Sequence, residues 1–127
     1  MDVLTHLMFQ DGRAREAAEW YVSLVPGSTV ERVVDGGEGG TTVYFRLGER
    51  GFIAFDSPVR HGFDFTPSTS IFVRCDDDEQ VRRLFAQIAE DGSVTMPVGD
   101  YGFSSCFGWA IDRYGVSWQV GTAAHDS

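Results

Sequence analysis

At 127 residues, with 43% apolar and 13% aromatic side chains, the chain is long enough to bury about two-thirds of its unfolded surface, which excludes a disordered chain and calls for no separate second domain. Its formal charge of −9, from 19 acidic against 10 basic residues, repels polyanions at long range, so neither nucleic acid nor a membrane surface is expected as a partner. Cys75 and Cys106 are too few for a disulfide framework and sit in no metal-ligand spacing, the amino terminus has no basic start of a signal peptide, and no run is long enough to span a bilayer, so a cytoplasmic location is expected.

Residues 3–10 alternate loosely and stop at Asp11-Gly12, which predicts a strand and a turn. Arg13 to Val25 then carries Ala14, Ala17, Ala18, Tyr21 and Val25 at helical spacing, and Pro26-Gly27-Ser28 ends the helix. Thr29–Val34 reads as a half-exposed strand, DGGEGG at 35–40 as a loop, and Thr41–Leu47 and Gly51–Asp56 as two strands around a turn, with Val43, Phe45 and Leu47 on one face. Ser57 to Thr69 has two prolines and no clean period and reads as a long connection.

Ser70–Cys75 is a strand, and the acids at 76–79 open a helix whose apolar stripe is Val81, Leu84, Phe85, Ile88 and Ala89. A strand at Ser93–Val98 and a loop at 99–105 follow. The stretch FGWAIDRYGVSWQV, 107–120, then reads as a hairpin turning at Asp112-Arg113-Tyr114-Gly115, where Gly115 supplies a positive φ. In its second strand Ser117 and Gln119 point away from Trp118, a polar pair on a strand otherwise built for burial. Each half is therefore β-α-β-β-β. An offset of 64 residues places His6 opposite Ser70 and Tyr21 opposite Phe85, a repeat of pattern with almost no repeat of residues. Two such modules, about 1–57 and 68–121, predict a single α+β domain whose eight strands form a cup, with 122–127 as a tail.

The duplication, opened by THLMFQDGRAREAAEWYVSLVPGS and closed by FGWAIDRYGVSWQV, resembles the vicinal oxygen chelate superfamily, with its glyoxalase and extradiol-dioxygenase fold. SPVRH at 57–61 with Phe63 and Phe65, and Phe103-Ser104 ahead of the Phe107 strand, resemble its PhnB-like branch, also described as a 3-demethylubiquinone methyltransferase-like domain. Nothing in the chain resembles a glycine-rich S-adenosylmethionine loop after a first strand, so methyl transfer is not expected.

In metal-dependent members, the resemblance implies ligands on the first and last strands of each half. Those positions hold His6, Asp56 (or, one residue away, Phe55), Ser70 and Gln119 here. Serine is a poor ligand for a divalent ion, and Gln119 stands where such relatives carry an acid, so His6, Asp56 and Gln119 are the candidate metal ligands and no tightly bound cofactor is expected. A small-molecule site lined by His6, Met8, Ser70, Ser117 and Gln119, with His61, Phe63, Phe65, Tyr101 and Phe103 from the loops, is the main expectation. His61 is the candidate proton-transfer group. The alternatives are a metal-dependent lyase, isomerase or dioxygenase, and a drug-sequestering resistance protein. The resemblance also implies a homodimer, with Trp20 on the outer flank of its helix as a candidate contact.

Overall fold

The apolar periodicities are realised as two copies of one topology. A computed structural model describes residues 1–123, so the expected tail at 122–127 lies outside the described residues from 124 onward. In the first copy β1 (Thr5–Phe9), α1 (Ala14–Leu24), β2 (Thr29–Asp35), β3 (Thr41–Leu47) and β4 (Arg50–Asp56) follow in order. In the second, β5 (Ser70–Arg74), α2 (Asp78–Ala89), β6 (Ser93–Gly99), β7 (Phe107–Ile111) and β8 (Ser117–Gly121) do the same. The chain divides into two compact units, residues 1–64 and residue 65 onward.

Each unit holds one four-stranded sheet, ordered β1-β4-β3-β2 in the first and β5-β8-β7-β6 in the second. The outer pairs β1/β4 and β5/β8 are parallel and the remaining neighbours antiparallel. The offset of 64 residues carries Thr29–Asp35 onto Ser93–Gly99, so the repeat read from pattern is a repeat of structure.

In unit 1, α1 buries Ala14, Ala17, Ala18, Tyr21 and Leu24, and the three alanines let the helix lie close on the sheet. Val25, expected in that stripe, is instead the extended residue that ends the helix. Beneath it Val43, Phe45 and Leu47 of β3 meet Phe52 and Ala54 of β4, with the rings of Phe45 and Phe52 stacked at 5.1 Å. Burying each large side chain contributes about 1.5–3 kcal/mol. Arg13 caps α1 with no side-chain bond, and the helix start is satisfied from the sheet: Ala14 N–H donates to Asp56 Oδ1 at 2.8 Å.

In unit 2, α2 is capped locally by Asp77, whose side chain accepts from the Gln80 N–H at 2.9 Å, and Val81, Leu84, Phe85 and Ile88 form its buried stripe. The helix approaches β7 at Gly108, where a Cβ would lie 2.8 Å from the Phe85 ring. The β7–β8 hairpin turns as expected, with Gly115 at φ +93° and its N–H donating to the Asp112 carbonyl at 3.0 Å. The DGGEGG loop carries a short 3₁₀ turn at Gly37–Gly39.

Candidate functional site

Because side chains alternate across a strand, each sheet has one face under its helix and one face away from it. In unit 2 the away face is set by register: Ser70 pairs with Ser117 and Phe72 with Gln119 across β5/β8, while Gln119 pairs with Trp109 and Gly121 with Phe107 across β8/β7. Four polar groups meet there. The Trp109 indole N–H donates to Ser117 Oγ at 2.8 Å, Ser117 and Ser70 share a hydroxyl hydrogen bond of 2.6 Å, and Gln119 Nε2 donates to Ser70 Oγ at 3.2 Å.

The proton in the shared bond has one satisfactory position. Ser117 is 1% exposed, so a hydroxyl proton aimed anywhere but at Ser70 would be buried without an acceptor. Ser117 therefore donates to Ser70. The half-buried Ser70 hydroxyl then accepts twice and keeps its own proton for an outside partner, and the amide carbonyl of Gln119 is left as an acceptor beside it. Next to this pair stand three rings around Phe107: Phe103 edge-on at 4.9 Å, Tyr101 edge-on at 6.0 Å and Phe72 tilted at 6.3 Å. Phe72, Phe103 and Tyr101 are 53%, 51% and 39% exposed, a concentration of aromatic surface without cover in this unit. Of the expected site residues, unit 2 thus joins Ser70, Ser117, Gln119, Tyr101 and Phe103. Phe72 and Trp109 belong with them and were missed by the sequence reading, although both sit on the alternation that singled out Gln119.

In unit 1, His6 and Met8 lie on the away face, His6 tilted against Phe55 at 5.7 Å. The connecting loop is held by Gln10 just beyond β1: its amide donates to the Phe63 carbonyl and its carbonyl accepts from the His61 N–H, both at 2.6 Å. His61 stacks on Phe63 at 4.8 Å, and its Nε2 lies 3.2 Å from Ser57 Oγ. The Ser57 hydroxyl donates to the Val59 carbonyl at 2.6 Å, so in its contact with Ser57 the His61 Nε2 is the donor. Phe65 belongs to unit 2, against Gly115 of the β7–β8 turn.

A family model described as 3-demethylubiquinone-9 3-methyltransferase matches residues 1–121. The chain belongs to this family. A PhnB protein from Bacillus cereus, also described as a 3-demethylubiquinone-9 3-methyltransferase, is 38% identical over 97% of this chain and 100% of its own, with a TM-score of 0.90. Protein PA1353 from Pseudomonas aeruginosa is 26% identical over 97% of this chain and 98% of its own, with a TM-score of 0.82. A glyoxylase/bleomycin resistance protein/dioxygenase domain from Frankia sp. EAN1pec, at 10% identity over 100% of this chain and 94% of its own, shares the fold with a TM-score of 0.72. A search of curated proteins found no match. The PhnB-like resemblance and the vicinal oxygen chelate fold are thereby established.

The metal-ligand set carried over from that superfamily does not fit this PhnB-like chain. Asp56 pairs with Phe9 on the helix face, with its carboxylate accepting from Ala14, while His6 lies on the opposite face, which Phe55 shares with it. A divalent ion cannot take one ligand from each side of a sheet. Among the described residues no three His, Cys, Asp or Glu side chains are grouped so as to hold a metal. Burial, opposed by the Ala14 hydrogen bond and reinforced by Asp11, moves the Asp56 carboxyl above its ordinary value.

Cys106 is buried, and burial, with Asp78 adding and Arg82 opposing, pushes its thiol up. Cys75 moves the same way through burial, Asp76 and Asp77. Neither is an activated thiolate. Ser104 is a buried clasp, with its hydroxyl within 3.1 Å of the Cys106 carbonyl and of the Thr122 hydroxyl, fixing the loop that presents Phe103.

Proposed function

We propose that this PhnB-like protein binds a small, flat metabolite carrying a hydrogen-bond acceptor beside a donor, such as an aromatic amide or hydroxy-carbonyl compound, on the away face of the β5–β8 sheet. The Ser70 hydroxyl and the Gln119 carbonyl, one donor and one acceptor prearranged beside Phe72, Phe107, Tyr101 and Phe103, carry this reading. Rings supply apolar area with little rotamer entropy to lose, and the polar pair sets orientation. The binding needs no tightly held metal. Methyl transfer, which the family description names, finds no support in the chain: Gln10-Asp11-Gly12 after β1 is not a glycine-rich phosphate loop, and neither sheet is the parallel doubly wound kind with a nucleotide crevice. The reading takes the protein as a cytoplasmic homodimer, supported by its two free thiols for the location and by the family resemblance for the dimer.

The test is a thermal-shift and calorimetric screen of the whole chain against aromatic amides such as salicylamide, with aromatic antibiotics in the same panel. Saturable binding that raises Tm and is lost in Gln119→Leu and Phe72→Ala is expected. Binding confined to the antibiotics would make the protein a sequestering one. A stoichiometric divalent ion in the purified protein, lost on His6→Ala, would overturn the metal-free reading.

A further inference from the structure

The away face of the unit 1 sheet carries a polar row that the preceding reading does not use. Register places His6 beside Ile53, Ile53 beside Tyr44, and Tyr44 beside Arg32, one residue from each of the four strands. With strands about 4.8 Å apart, the row is about 14 Å long from backbone to backbone. Arg32 is exposed, and its side chain folds over its cross-strand neighbour: the guanidinium carbon lies 4.6 Å from the centroid of the Tyr44 ring.

Three other arginines of this unit, Arg13, Arg15 and Arg46, are paired with Glu16, Glu19 and Glu31. Arg32 has neither an ion pair nor a hydrogen bond among the described residues, and the Tyr44 hydroxyl has no hydrogen-bond partner among them. A guanidinium held over a ring keeps its N–H fork in the plane beside the ring, the geometry that grips an oxyanion through two parallel bonds. The contact also removes side-chain freedom before any ligand arrives. The half-buried Ile53 lies between this cation and His6, and the half-buried Met8 and Phe55 continue the apolar surface alongside it on the same face.

We propose that the Arg32–Tyr44 pair is an oxyanion-recognition site, taking the carboxylate or phosphoryl group of a small ligand whose apolar body lies over Ile53 and Phe55 toward His6. The row belongs to unit 1 and shares no residue with the Ser70–Gln119 pair of unit 2, so either assignment can fail without the other.

Titrating the isotope-labelled chain with inorganic phosphate and, separately, with benzoate, followed by NMR, tests it. Saturable shifts are expected at the Arg32 side chain, Tyr44 and His6, while the Trp109 indole N–H, which reports on the other site, is read in the same spectra. Arg32→Gln should weaken binding about tenfold or more and Arg32→Lys by less, since a point charge remains without the fork. Arg50→Gln, which changes net charge equally at the start of β4, should leave it unchanged. The probe that binds more tightly identifies the oxyanion. Shifts that do not saturate, or an Arg32→Gln effect no larger than that of Arg50→Gln, would overturn the assignment.

Discussion

The indole N–H of Trp118 donates to Asp112 Oδ2 at 2.8 Å, and both residues are buried. The other carboxylate oxygen accepts from the backbone N–H groups of Tyr114 and Val116 at 2.8 and 3.0 Å. One side chain therefore ties the β7–β8 turn to the largest ring in the core of unit 2. Asp112→Ala leaves that indole without its acceptor and is expected to cost about 3 kcal/mol in denaturant unfolding. Asp112→Asn, which keeps one acceptor, should cost less. An unchanged transition midpoint for Asp112→Ala would show that the bonds contribute no net stability.

Asp56 offers a separable test of the helix start. Asp56→Ala removes the acceptor for the Ala14 N–H and is expected to destabilise by about 1 kcal/mol, as loss of a helix cap does. Asp56→Asn keeps an acceptor. Because the folded carboxyl binds its proton more tightly than the ordinary value of 3.8, the folded state holds more protons in the window just above that value. The Asp56 contribution to stability therefore falls as pH rises through the window. Stability curves of the wild type and Asp56→Asn from pH 3 to 7 should diverge in that direction.

The two thiols provide a chemical readout. Cys106 should react with a disulfide reagent at neutral pH far more slowly than a free thiol, with Cys75 the faster of the two because it is half-buried and Cys106 is buried. Both titrate above the ordinary 9.0, so the unfolded chain loses these protons first and stability is lost as pH rises past about 9. Rapid Cys106 labelling in the native state would contradict its burial.

The loop histidine makes a spectroscopic prediction. With Ser57 donating to Val59, neutral His61 should be the Nε2–H tautomer, which ring nitrogen correlation spectra identify directly. Ser57→Ala should relax that preference. Gln10→Ala, which removes both clasps of 2.6 Å, should raise amide exchange across residues 60–63.

Periodicity determined the order of elements, the buried stripes of both helices apart from Val25 and Ala89 at their last positions, the Gly115 turn and the internal repeat, because each is a local consequence of which positions must hide apolar surface. It also set apart Ser117 and Gln119, since two polar residues on one side of a buried strand break an otherwise uniform pattern. Register between strands distant in sequence was decided only by the tertiary structure. The parallel pairing of β1 with β4 put Phe55 rather than Asp56 on the face that carries His6 and turned Asp56 into a cap for α1. The pairing of β5 with β8 brought Ser70 to Ser117 from 47 residues away. A one-residue slip in register exchanges the two faces of a strand, and alternation within a single strand carries no information about its partner's phase.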